Sequence, residues 1–231
     1  MRVFVINLER NPERLANFSR QAARLGLPFE RIAAVDGRTL AYRHCLRELL
    51  VEQRWLAPGE IGCALSHLAV YARMRDGGID RAAVFEDDVL LAPELVRVLE
   101  RAGNFLRTDR PQVVLLSAHG CLTARESGVE RIGSGMCTDG YVLNRAAAEL
   151  ILRMNTPVVC PADTWVRWIR RGGLELYRIW PTTVTQDKSR FPESEVCEGH
   201  AALHGVRLAV HRVVKGCCLS LDWLWLRLTG K

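Results

Sequence analysis

The sequence predicts an α/β domain with a mostly parallel central sheet flanked by helices. The chain opens strand–helix–strand: Arg2–Leu8 is an apolar run, Asn11-Pro12-Glu13 starts a helix, and Phe29–Val35 is a second apolar run closed by Asp36-Gly37. Two strands joined by a helix pair in parallel, with the helix as crossover. Further short β-prone runs at residues 82–91, 112–116, 141–143 and 174–179 alternate with helical patterns. A chain of 231 residues can bury one good core, which fits a single domain.

In the first helix Leu15, Phe18, Ala22 and Leu25 recur at helical spacing, and Gly26 can close it. A helix over residues 39–51 and a turn at Pro58-Gly59 are expected next. Ile61, Leu65, Leu68 and Ala72 line one face of a helix from Glu60 to Met74, stopped by Gly77-Gly78. After the run at 82–91, Pro93 suits the first position of a helix reaching Leu106. Residues 118–138 show no convincing period. Asn144 is expected to cap a helix to Met154, and Asp163–Arg171 to be helical before Gly172-Gly173. The polar stretch 181–200 reads as a mobile lid.

Composition narrows the function classes. The apolar share of 48% argues against disorder. The net charge of +6, supplied almost wholly by arginine, suits phosphate-bearing ligands, anionic membranes or nucleic acid. The arginines are dispersed with no basic block, so no nucleic-acid partner is expected. No segment reaches the roughly 20 apolar residues of a membrane span, and Val3–Leu8 is too short for a secretory signal. Eight cysteines without a CxxC pair then read as reduced thiols of a cytoplasmic protein, not as a disulfide framework or zinc cluster.

The most informative stretch is Phe85-Glu86-Asp87-Asp88-Val89, three consecutive carboxylates between apolar runs. Such acids repel one another and cost desolvation. A divalent cation with oxygen ligands at a strand's carboxyl end would hold them; a solvated turn whose acids cap the next helix is the competing account.

Together with Gly59-Glu60-Ile61-Gly62-Cys63-Ala64-Leu65-Ser66-His67-Leu68 upstream, this stretch resembles glycosyltransferase family 25, the lipooligosaccharide and collagen sugar transferases. Supporting matches are Ile6-Asn7-Leu8-Glu9-Arg10 with Arg14, Val35-Asp36-Gly37, and Gly140-Tyr141-Val142-Leu143, and the resemblance covers most of residues 1–190. It implies a GT-A-like fold and a metal-dependent, inverting transfer of a hexose, galactose above all. The donor would be a nucleoside diphosphate sugar, UDP-galactose in the first instance, and the acceptor a glycan or lipid-linked glycan of lipooligosaccharide or cell-surface synthesis. The acidic triplet would replace the usual Asp-X-Asp. Asp88 and then Asp87 would hold Mn2+ or Mg2+, with Glu86 facing the ribose.

The remaining candidates each have a plainer structural role. Asn7, Arg10 and Arg14 follow the first strand, where an open α/β sheet holds its nucleotide; either arginine could fork onto phosphate or sit on a solvated helix face. Asp36 could accept from a ribose or base, or with Gly37 shape a turn. Gly62 would allow close backbone approach. Ser66 could be a backbone-bonded core serine, and His67 a phosphate donor or a satisfied core histidine. Asp163, in Pro161-Ala162-Asp163, resembles the family's Pro-X-Asp element and is the candidate base for the acceptor hydroxyl, although Asp also suits an N-cap. Trp165 could stack on a sugar or fill the core. Gln186 and Ser189 fall in a family-like part of the lid, and His200 and His204 lie one helical turn apart.

The transferase domain is expected over residues 1–206. Residues 207–231 would be an amphipathic helical tail in which Trp223 and Trp225 mix with Arg207, Arg212, Lys215, Arg227 and Lys231. Such a segment could dock on an anionic membrane surface, making the protein peripheral on the inner face of the cytoplasmic membrane, or pack on the domain. Two alternatives stand beside the transferase: a metal-dependent sugar-nucleotide hydrolase and a non-catalytic, membrane-associated carbohydrate-binding protein.

Overall fold

The computed structural model describes residues 1–40, 56–119 and 126–192. The expected tail from 207, His200, His204 and residues 41–51 of the expected helix lie outside these.

Strand β1 (Arg2–Asn7) leads through α1 (Pro12–Arg24) into β2 (Glu30–Ala33), and the two strands pair in parallel as predicted. A 3-10 turn (Gly37–Thr39), capped by Asp36, follows at the expected Asp36-Gly37 turn and ends on Thr39, the first residue of the expected helix. Helix α2 (Pro58–Asp76) then delivers β3 (Arg81–Glu86). Next come β4 (Val89–Leu91), α3 (Leu95–Phe105), β5 (Gln112–Leu115), β6 (Gly128–Arg131) and β7 (Gly140–Asn144). Helices α4 (Arg145–Met154) and α5 (Trp165–Gly172) precede β8 (Glu175–Trp180) and β9 (Val184–Gln186).

The main sheet runs β2-β1-β3-β7-β5-β8-β6. Strands β2, β1, β3, β5 and β8 share one direction; β7 and β6 oppose it. Strand alternation divides the apolar residues into two cores. On one face Phe4, Ile6, Val84 and Tyr141 pack with Ile61 and Tyr71 of α2, Ala147 and Ile151 of α4, and Trp165 and Trp168 of α5. On the other, Val3, Val5, Phe85 and Val142 pack with Phe18 and Ala22 of α1 and Leu95, Val98 and Leu99 of α3. The result is a three-layer α/β/α domain.

This layering creates a switch point. From β1 the chain crosses by α1, over one face, to β2 on one side; it returns by α2, over the opposite face, to β3 on β1's other side. Crevices at the carboxyl ends of such strands are where open α/β sheets bind ligands.

Local signals fared unevenly. Asn144 caps α4 as expected, accepting from the Ala147 N–H at 2.9 Å. Asn11 makes no side-chain cap bond to α1. Pro58 is not a turn but the opening of α2, where Glu60 accepts from the Ala57 N–H at 2.7 Å. Pro93 lies before α3, whose N-cap is Glu94. Within the described part of the expected lid, 181–192, a strand was not foreseen: β9 pairs antiparallel with β4, Gln186 opposite Val89. No helix among the described residues is long and apolar enough to cross a membrane.

Candidate active site

Asp87-Asp88 form the turn between β3 and β4, and its surroundings fix that turn firmly. The Asn7 side-chain amide donates to Asp87 Oδ2 at 2.6 Å. The Asp187 N–H donates to the Asp88 carbonyl at 2.7 Å, and the Glu86 N–H to the Asp139 carbonyl at 3.1 Å. Gln21 of α1 holds β4 from below, donating to the Val89 carbonyl at 2.9 Å and accepting from the Leu91 N–H at 2.8 Å. The acids are therefore not a solvated turn: Asp87 is 6% and Asp88 9% exposed. Neither caps α3.

Burial pushes the Asp87 pKa up to about 6. Burial, reinforced by the charges of Glu86 and Asp87, pushes Asp88 up to about 7. Arg14 counters both, its Nη1 lying 3.7 Å from Asp87 Oδ1 and 3.7 Å from Asp88 Oδ2. Its guanidinium also stands 5.2 Å over the Phe191 ring. Asp88 Oδ1 is buried without a hydrogen-bond partner. Two buried carboxylates, one with an unpartnered oxygen, form a hard all-oxygen donor set that fits Mn2+ or Mg2+.

Glu86 faces a different group. Its Oε1 accepts from Thr138 Oγ1 at 2.6 Å and lies 3.7 Å from His67 Nε2. Burial opposes its ionisation, but His67 and Thr138 outweigh it and the pKa falls below the usual glutamate value. His67 is 1% exposed; its Nδ1 is 2.7 Å from the Tyr141 hydroxyl, itself 2.7 Å from that of Tyr71. Cys63, one helical turn before His67, has its thiol pKa raised by burial and then by the charges of Glu86 and Asp163.

The opposite wall comes from the loop after β2. Asp36 caps the 3-10 turn, accepting from the Arg38 N–H at 3.0 Å, and pairs with Arg10 at 3.0 Å and Arg38 at 2.9 Å. Its side-chain bond from Arg38 outweighs burial and lowers its pKa. Ser66 ties this loop to α2, donating to the Gly62 carbonyl at 2.6 Å and accepting from the Val35 N–H at 2.9 Å. A Cβ at Gly62 would stand 2.6 Å from the Val35 carbonyl oxygen and 2.7 Å from the Gly37 nitrogen. The close approach expected at Gly62 is thus made by the chain itself.

These walls enclose a cleft of about 370 Å³ at the switch point. It is lined by Arg10, Arg14, Asp36, Gly37, Ser66, His67, Glu86, Asp87, Asp88 and Gln186, so the expected donor-side residues converge. Asn7 is one hydrogen bond beneath, on Asp87, and Gly62 stands behind the wall.

Asp163 is not among the lining residues. It is exposed, and α5 takes Thr164 rather than Asp163 as its N-cap. The capping account of Asp163 therefore fails, and no described side chain pairs with its carboxylate. Its charge reaches the thiols of both Cys63 and Cys137. Trp165 is fully buried, edge-on to Tyr141 with ring centroids 5.5 Å apart, and is a core residue. Ser189 donates to Asp187 at 2.7 Å. The sequence reading gave no role in the site to Cys63 or Thr138, and had no pairing between Tyr141 and His67. Of these only Cys63, four residues from His67 on one helix, left a readable signal.

Residues 1–166 match the family model described as Glycosyltransferase family 25 (LPS biosynthesis protein). The chain belongs to glycosyltransferase family 25. Family 25 relatives include a Drosophila melanogaster protein named "Glycosyltransferase 25 family member", 32% identical over 185 residues, covering 71% of this chain and 30% of its own length. An Anopheles gambiae protein of the same name is 35% identical over 231 residues, covering 84% of this chain and 38% of that protein. A Rattus norvegicus relative named "Probable inactive glycosyltransferase 25 family member 3" is 36% identical over 167 residues, covering 65% and 29%. The chain thus spans about a third of the length of these relatives. Among solved structures, A197 from STIV is similar with a TM-score of 0.39 and 11% identity over 77% of this chain and 81% of that one. A glycosyltransferase involved in glycosylation of the PBCV-1 major capsid gives a TM-score of 0.34 and 9% identity over 74% and 76%. The mixed, mostly parallel sheet flanked by helices is the architecture expected for a family 25 domain.

Proposed function

We propose that the chain is a metal-dependent, inverting glycosyltransferase that moves a hexose, galactose first among the candidates, from a nucleoside diphosphate sugar to a glycan acceptor. One observation carries this reading: the buried Asp87–Asp88 pair, with its unpartnered oxygen, lies in a switch-point cleft beside Arg10 and Arg14. A nucleotide diphosphate is the ligand whose charge such a cleft complements, through guanidinium forks and a shared divalent cation. When bound, Mn2+ or Mg2+ would neutralise the departing diphosphate.

The chain's own residues supply the rest. Asp88, with Asp87, would hold the cation; Asn7 orients Asp87, and Arg14 would offer its guanidinium to the diphosphate. Asp36, Gly37, Ser66 and Gln186 shape the wall against which nucleoside and sugar would lie, while Glu86 and His67 face the space between. Asp163, exposed and free of a capping bond, is the proposed base that takes the acceptor hydroxyl proton as the anomeric bond to the diphosphate breaks. An acceptor presented at an anionic membrane surface through the 207–231 segment fits the same reading. So does a place in lipooligosaccharide or other cell-surface glycan synthesis.

The relatives named inactive favour one other reading, a domain that binds donor without turnover. The deciding experiment incubates the protein with UDP-galactose, Mn2+ and a panel of glycan acceptors and follows glycoside and UDP together. Transfer yields both in equal amounts. Free galactose at an undiminished rate without acceptor would mean a hydrolase, and Mn2+-dependent donor binding with neither product would mean a binding domain.

A further inference from the structure

Cys63, His67 and Glu86 bring three different ligand atoms within 4.8 Å of one another at the inner wall of the cleft. Cys63 and His67 project from the same face of α2, one helical turn apart, and Glu86 ends β3 opposite them. The spacing of four residues on a helix is the one by which two side chains share a metal. Independently, His67 Nε2 is buried and has no hydrogen-bond partner, and it points toward the Glu86 carboxylate 3.7 Å away.

The second layer is arranged as ligands require. The Tyr141 hydroxyl, 2.7 Å from Nδ1 and backed by Tyr71, fixes the far side of the His67 ring. Thr138 Oγ1 holds Glu86 Oε1 at 2.6 Å. Partners of this kind set the orientation of a ligating imidazole and carboxylate. Sulfur, nitrogen and oxygen in one set suit a borderline-soft ion, whereas Asp87 and Asp88 offer oxygen alone.

We propose that Cys63, His67 and Glu86 form a zinc site in the wall of the cleft, separate from the Asp87–Asp88 pair, with its fourth position open to the cleft. Zinc takes the Cys63 thiolate, His67 Nε2 and one Glu86 oxygen, and the thiol proton passes to solvent. The absence of CxxC pairs does not bear on this site, because its ligands come from a helix and a strand brought together by the fold.

The test uses the full chain. After dialysis against metal-free buffer and then Zn2+ alone, bound zinc is counted by mass spectrometry for the wild type, Cys63→Ser, His67→Gln and Asp88→Asn. The wild type and Asp88→Asn should each hold about one zinc per chain, and the first two variants less than about a tenth of that. Co2+ loaded in place of zinc should give a near-ultraviolet thiolate charge-transfer band in the wild type that Cys63→Ser lacks. If Cys63→Ser fails to fold, Cys63→Ala takes its place in both measurements. A wild type that takes up no zinc, a cobalt spectrum without a thiolate band, or full zinc retention by Cys63→Ser overturns the proposal. None of these readings depends on sugar transfer, so the site and the proposed activity stand or fall separately.

Discussion

Asn7 Nδ2 and Asp87 Oδ2 meet at 2.6 Å, joining the end of β1 to the turn after β3 across eighty residues of sequence. The same amide donates to the Asn11 carbonyl at 3.0 Å, and Asn7 Oδ1 accepts from Arg31 Nε at 2.9 Å. A side chain 2% exposed with every polar atom used is a structural joint.

Asn7→Ala should therefore strand buried partners. A stability loss of about 2–3 kcal/mol is expected from the charge-assisted bond and the unsatisfied groups it leaves, read from urea unfolding at neutral pH. Asn7→Asp should fare no better, since it sets a second carboxylate against Asp87. A loss below about 0.5 kcal/mol would be ordinary for an unimportant surface site and would remove Asn7 from the site's framework.

The acid pair makes a pH prediction. Asp87 and Asp88 have folded-state pKa values raised from 3.8 to about 6 and about 7. In that window the folded chain binds more protons than the unfolded one, so metal-free stability is full below about pH 4 on this account and is lost as pH rises through 6 to 7. Divalent cation should remove this loss, raising Tm more at pH 8 than at pH 5. Melting curves with Mn2+ and with EDTA at both pH values check it. An EDTA-treated protein whose carboxylate-dependent stability rises between pH 5 and 8 would contradict the buried-pair account.

Much of this was legible in the sequence, and most of what was not depends on contacts between residues distant in the chain. The strand–helix–strand opening, the acidic strand and the Asn144 cap each rest on residues adjacent in the chain, where local chemistry decides. Strand β6 was missed because it is four residues long and, among the described residues, pairs with β8 alone. The stretch holding β9 read as a lid because its polarity reflects the turn after it, while its pairing partner β4 lies about ninety residues upstream. Asn7–Asp87, Thr138–Glu86 and His67–Tyr141 are likewise contacts over long sequence separations, which periodicity cannot show. Asp163 illustrates the reverse: an Asp just before a helix reads as a cap, but the helix begins one residue later than that role needs.

Asp163→Asn should abolish transfer while leaving UDP binding and Tm nearly unchanged, within about 0.5 kcal/mol of stability for an exposed site. Turnover and melting temperature measured on one preparation separate catalysis from folding. Near-normal turnover would take Asp163 out of the mechanism.

The central claim, that Asp87 and Asp88 bind a nucleoside diphosphate through a divalent cation, is tested most directly by calorimetric titration with UDP. The wild type and Asp88→Asn are each titrated in Mn2+ and in EDTA. The account predicts binding in Mn2+ that weakens at least about tenfold, some 1.4 kcal/mol, on adding EDTA or replacing Asp88. An unchanged Kd for UDP in EDTA and in Asp88→Asn would contradict it.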